Sequence, residues 1–195
     1  MNIITILLLI ASGFFTIIGV IPYIFNVING NTKPKVVTWI VWGLLTGISC
    51  IASLTDGQYF TTILLAVSSI SSLSVALFGW KKGNKKIHYT DIICFIGSLI
   101  GVVLWRTFNS PSIAILALIV TDFIGGIPTL IHCWKKPYEE TWSTFFTGAL
   151  GSLCTLLILK NWQITSFAFP LFIVIMGTIF TLTILLRRLY VKKKR

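Results

Sequence analysis

The chain has 195 residues, of which 55% are hydrophobic and 11% charged, and its mean hydropathy is +0.92. A soluble domain carries about 25% charged residues, so these figures exclude an ordinary soluble globular fold and a disordered chain. The formal net charge is +11, but the basic residues form short clusters between apolar runs, which points to membrane topology rather than to a nucleic-acid surface.

A spanning helix needs roughly 17 to 25 apolar residues. Seven stretches qualify in chain order: 3–27, 37–54, 60–80, 91–106, 112–133, 142–159 and 165–186. The first is expected to be a retained helix, because it lacks a basic leading segment and a small-x-small cleavage site. The fourth is the shortest, with Asp91 at its mouth. The expected fold is therefore an all-α membrane protein of seven spans. Its parts are a first three-helix unit over 1–87, a linker helix over 88–110 and a second three-helix unit over 111–195.

Short loops join the spans, and their charges orient them. Lys33 and Lys35, then Lys81, Lys82, Lys85 and Lys86, then Lys135 and Lys136, then Arg187, Arg188 and Lys192–Arg195 all fall on one side. Only Arg106 and Lys160 fall on the other. Fourteen of the 16 basic residues on one face predict a cytoplasmic C-terminus and an outer N-terminus, in a plasma or inner membrane. Trp80, Trp105, Trp134 and Trp162 lie at span ends, as an interfacial belt requires. The four cysteines, Cys50, Cys94, Cys133 and Cys154, lie in or beside apolar runs without metal-ligand spacing, and read as buried small residues.

An internal repeat runs through the chain. Gly19-Val20-Ile21-Pro22 near the end of the first span matches Gly125-Gly126-Ile127-Pro128 near the end of the fifth. Each is followed by a basic loop with a second proline, Pro34 or Pro137, and then by Thr38-Trp39 or Thr141-Trp142 opening the next span. Each of those spans ends in a tight turn, Thr55-Asp56-Gly57-Gln58 or Lys160-Asn161-Trp162-Gln163. Three spans reverse direction, so one extra crossing lets the second unit repeat the first in the same orientation. The expected result is a 3+1+3 arrangement with a pseudo-two-fold axis along the membrane normal.

This pattern resembles the PQ-loop superfamily, which includes the SWEET sugar transporters, lysosomal amino-acid exporters and the ER-retention-signal receptors. Pro22 and Pro128 stand at the family prolines, while Tyr23 and Thr129 replace the glutamines. The resemblance implies two three-helix bundles joined by a linker helix, Pro22 and Pro128 as hinges in alternating access, and a substrate site at mid-membrane between the bundles. SWEET-type sites commonly use asparagines in the third helix of each bundle. Neither the third nor the seventh span has one, so a sugar is not supported.

Asp122 is the one acidic residue deep within an apolar run. An unpaired charge at that depth costs about 2.5–3.5 kcal/mol on insertion scales, and such residues face cavities or partners. Two readings stay open: a proton-exchanging or cation-binding carboxylate, or a neutral acid that ties helices together. Thr16 holds the corresponding place in the first unit. Ser68, Ser71 and Ser72 share one helical face, as close packing or as a polar path. Trp39 and Trp142 open equivalent spans. Pro170 has no counterpart and reads as a simple kink.

Enzymatic readings find no support. An intramembrane aspartyl protease needs two deep carboxylates, no HExxH motif is present, and the serines lack a deep histidine, since His88 is in a loop and His132 near a span end. A retinal protein would need a lysine in the seventh span. No cofactor, metal or nucleic acid is expected. The leading expectation is a transporter or facilitator of a small neutral or zwitterionic solute, with Asp122 coupling protons. The alternative is a non-transporting receptor or interaction subunit of the same fold. Its basic face, including Lys81, Lys82, Lys85, Lys86 and Lys192–Arg195, would attract anionic lipid at about 1 kcal/mol per residue.

Overall fold

The computed structural model describes residues 3–81, 83, 89, 92, 93, 96, 97, 99, 100, 103, 107 and 110–193. The expected linker helix lies largely outside the described residues, as do Lys82, Lys85, Lys86, His88, Asp91, Cys94, Trp105, Arg106, Lys194 and Arg195.

Among the described residues six helices carry the fold: α1 (Ile3–Ile28), α2 (Val36–Thr55), α3 (Tyr59–Gly79), α4 (Pro111–Lys135), α5 (Trp142–Leu157) and α6 (Ile164–Lys193), with a 3-10 turn at Pro137–Glu139 before α5. Each begins and ends within a few residues of an expected span, except that α6 continues to Lys193 through its basic tail. Five of them, all but α5, are long and apolar enough to cross a membrane, as an integral multi-pass protein requires. The 16 residues of α5 reach about 24 Å at 1.5 Å per residue, short of the roughly 30 Å hydrocarbon core.

On α1 the burial pattern inverts that of a helix in a soluble protein. Along α1, Ile3, Leu7, Ile10, Phe14, Ile21, Phe25 and Ile28 recur at helical spacing and stand exposed. The buried stripe of the same helix is Ser12, Thr16, Gly19, Tyr23 and Val27. A helix with small and hydroxyl residues inside and branched aliphatics outside suits lipid, where close backbone approach and cross-helix hydrogen bonds replace the hydrophobic drive. The α1–α5 contact uses this directly. A side chain at Gly151 would meet Thr16 Oγ1 at 2.6 Å and the Ser12 carbonyl at 2.8 Å, and one at Gly19 would collide with Thr147. Thr144 donates to the Gly19 carbonyl at 2.6 Å, and Ser12 and Thr155 share a hydroxyl–hydroxyl bond of 2.8 Å.

The helices close into a ring. α1 packs on α3 and α5, α5 on α6, α6 on α4, α4 on α2, and α2 on α3. One end of the ring carries the α1–α2 and α4–α5 loops and the tail of α6. We call it the basic end, since Lys33, Lys35, Lys135, Lys136, Arg187 and Arg188 gather there. The other, the turn end, carries the α2–α3 and α5–α6 turns. Gly57 closes the first of these turns at φ +71, where glycine avoids the Cβ clash. Its amide donates to the Leu54 carbonyl at 3.0 Å and that of Gln58 to Ser53 at 3.0 Å, a Schellman closure that turns the chain sharply into α3. Gly30, at φ +79, ends α1 in the same way at the basic end.

Candidate functional site: a cavity inside the helix ring

The helices of the ring line a partly open cavity of about 160 Å³. Its wall holds six of the seven residues singled out for substrate binding or coupling: Asp122, Thr16, Trp39, Ser68, Ser71 and Ser72. The helical periodicity of α3 explains how it divides its serines. Ser68, Ser71 and Ser72 face the cavity, while Ser69 turns away and donates to the Gly43 carbonyl of α2 at 2.7 Å. The stripe thus serves as a polar wall, and its neighbour serves packing.

Asp122 is 8% exposed, and its Oδ1 is buried without a hydrogen-bond partner. Trp42 Nε1, on the same wall, is also buried without one. Around these polar groups stand aromatic rings. Trp39 packs edge-on against Trp42 with centroids 5.4 Å apart, Phe145 stacks on Phe180 at 4.6 Å, and Phe169 lies beside Phe172 at 6.4 Å. Thr16, which the expected repeat matches to Asp122, also lines the space and bonds back to the Ser12 carbonyl at 2.9 Å.

Trp142 is the candidate that does not line the cavity. It packs against the cluster of Cys133, Met176, Phe180 and Ile184, with Phe146 6.1 Å away. Pro22 and Pro128 lie inside unbroken helices. Neither touches the cavity; each sits between it and the basic end. Trp80, Trp134 and Trp162 are exposed at helix ends.

The basic end is tied together by contacts that the motifs did not foretell. Tyr23, 1% exposed, donates its hydroxyl to Glu140 Oε2 at 3.1 Å, and its ring leans on Trp39 at 5.1 Å. Beside it, Asn26 Nδ2 donates to Thr141 Oγ1 at 3.0 Å, and Thr32 shares a bond of 2.9 Å with the same hydroxyl. Arg188 of α6 fixes the loop by donating to the carbonyls of Glu140 at 2.6 Å and Pro137 at 2.9 Å. Burial pushes the Glu140 carboxyl up to about 8, against the opposing pull of the Tyr23 hydroxyl. Its signal in the sequence was slight: one of five acidic residues, in a loop, where a carboxylate ordinarily faces water.

At the turn end, Gln58 Nε2 donates to Gln163 Oε1 at 2.9 Å, Thr61 Oγ1 to the Ser166 carbonyl at 2.8 Å, and Thr165 Oγ1 to Asp56. The cavity therefore lies between two layers of hydrogen bonds. Among the described residues no three His, Cys, Asp or Glu side chains gather as a metal site would require. Compared with known protein families, with curated proteins and with solved structures, the chain matches none.

Proposed function

We propose that this chain is a multi-pass membrane transporter or facilitator of a small organic solute, with the cavity as its solute site and Asp122 as the group that couples protons. The observation that carries the reading is the cavity itself. A mostly apolar space with a few convergent polar groups is the usual form of a small-molecule site, and here it contains an unpaired carboxylate at membrane depth.

The proposed architecture is the 3+1+3 repeat of seven spans. What supports it is the order of the ring. Exchanging α1 with α4, α2 with α5 and α3 with α6 turns the order of helices around the ring into itself. The pairs Gln58–Gln163 and Thr61–Ser166 join residues at matching places in the two units, which only a site close to a two-fold axis allows. In alternating access the two ends would open in turn, with Pro22 and Pro128 as the points of bending; each removes an amide that would otherwise bond the carbonyl four residues earlier. The basic end would face the cytoplasm. A membrane-impermeant thiol reagent, applied from outside to a cysteine-free background, should label a cysteine at Gly57 and spare one at Gly83; the reverse overturns the orientation.

Flux in proteoliposomes tests the function. Saturable uptake by the purified protein alone is expected, and its absence across a broad solute panel would favour the receptor or subunit reading. Asp122→Asn should still exchange solute down its gradient and lose pH-driven accumulation. Unchanged pH-driven uptake in that variant ends the coupling role and leaves the transporter reading standing.

A further inference from the structure

We infer that the occupant of the cavity is a small organic cation, an ammonium group carrying apolar carbon, held between the Asp122 carboxylate and the faces of Trp39, Trp42 and the phenylalanines around them. The inference rests on the reading of this cavity as a solute site and names its substrate class.

Three observations converge on it. First, Asp122 is the one charged side chain among the described lining residues, which include neither Lys nor Arg. Its Oδ1 is buried and makes no hydrogen bond to the hydroxyls or carbonyls of neighbouring helices. The helix-tying reading of Asp122 needs such a bond. Without one, the carboxyl group keeps unused bonding capacity directed at the space it borders.

Second, the wall is aromatic. Trp39, Trp42, Phe145, Phe169, Phe172 and Phe180 all border the cavity. Ring faces carry negative potential and attract an ammonium, more strongly as water is excluded. The same faces repel an anion. Carboxylate and rings therefore select the same sign of charge, and both favour a desolvated cation over a neutral solute of equal shape.

Third, the space is of the right order. A volume of about 160 Å³ far exceeds the roughly 10–15 Å³ that one water requires, so a bare metal ion would leave most of it empty. An ammonium with several carbons fills it. A zwitterion would add a carboxylate facing no Lys or Arg on the described wall, and a neutral solute would leave Asp122 uncompensated. The inference therefore departs from the neutral or zwitterionic solute expected from the sequence.

The test uses the purified full chain in detergent and a series of equal size and differing charge: radiolabelled n-butylammonium, n-butanol and butyrate, followed by equilibrium dialysis. Saturable binding of n-butylammonium is expected, at least tenfold tighter than that of butanol or butyrate. Tetramethylammonium should displace it. Asp122→Asn should weaken binding at least tenfold, whereas Trp134→Phe, at an exposed helix end, should leave it unchanged. Butanol or butyrate binding as tightly as the ammonium overturns the inference, as does undiminished ammonium binding by Asp122→Asn. The charge series on the unaltered protein decides the matter even if that variant fails to fold. Ammonium binding without flux in proteoliposomes supports the cation site and defeats the transporter reading. Flux of an anion or a neutral solute without ammonium binding does the opposite.

Discussion

The two ends of the helix ring are held by different kinds of bond. At the turn end, residues that the proposed repeat makes equivalent meet each other: Gln58 with Gln163, Thr61 with Ser166. At the basic end, Tyr23 of the first unit meets Glu140 of the second, and the equivalent positions, Thr129 and Val37, cannot form the same pair. These two turn-end bonds between equivalent residues are neutral, the first exposed and the second buried. The basic-end bond is buried and includes an ionisable group. A symmetric junction holds the halves in register and transmits no difference between them. An asymmetric one can be set by a chemical condition, here the protonation of one carboxyl.

The largest expected effect tests whether that asymmetry is structural. Tyr23→Ala removes a fully buried aromatic ring from between Trp39 and the α5 loop and should destabilise the protein by roughly 3–5 kcal/mol. Thr129→Ala, the equivalent change in the second unit, should cost about 1 kcal/mol or less. Thermal unfolding in detergent measures both. Equal losses would mean that the two halves bear load equally at this end. Tyr23→Phe, which keeps the ring, should cost about 1–3 kcal/mol by leaving the Glu140 oxygen without its donor.

The next effect is conditional on pH. Glu140 is held protonated up to about pH 8 in the folded protein, whereas its ordinary value is 4.5. Between these limits the folded state binds one more proton than the unfolded chain. Stability from this group is therefore greatest at low pH and falls as pH rises from about 4.5 to about 8. Glu140→Gln holds the neutral shape at every pH. The variant should match the parent near pH 5 and exceed it above pH 8. A parent whose melting temperature rises over that window through this residue would refute the assignment.

These sites also mark how far the sequence could be read. The six helices among the described residues were legible in position because a membrane helix needs a long apolar run, and such runs stand out in the sequence. The cavity wall was legible in part because Asp122 and the face shared by Ser68, Ser71 and Ser72 break that apolarity at definite depths. The Tyr23–Glu140 pair was not legible. Its members lie 117 residues apart, and each alone has an ordinary explanation, an interfacial tyrosine and a solvated loop carboxylate. Trp142 shows the opposite failure. It shares the Thr-Trp motif of Trp39, yet the two have different neighbours. Tyr23 and Trp42 brace Trp39 at the cavity, while Trp142 packs against Cys133 and the Met176–Ile184 stretch of α6. A repeated motif fixes backbone position, and the side chains around it decide which way a ring packs.

The smallest effect sharpens the symmetric end. Gln58 and Gln163 pair near the surface at 2.9 Å, where water competes for both amides, so each single change to Ala should cost only about 0.5–1 kcal/mol. The coupling between them is more informative than either cost. If the two glutamines bond chiefly to each other, the double variant should lose no more than either single one, and the cycle should return nearly the whole bond energy as interaction. Equivalence adds a second requirement. Residues related by a two-fold axis have like surroundings, so Gln58→Ala and Gln163→Ala should cost the same within about 0.3–0.5 kcal/mol, the ordinary error of such comparisons. Gln58 has an extra acceptor at 3.3 Å, the Asp56 carbonyl, and a consistently larger loss there would measure how far the turn end departs from symmetry. Additive losses, with no interaction term, would show that the pair contributes nothing to holding the halves together. The register would then rest on the Thr61 bond to the Ser166 carbonyl, which is buried from water.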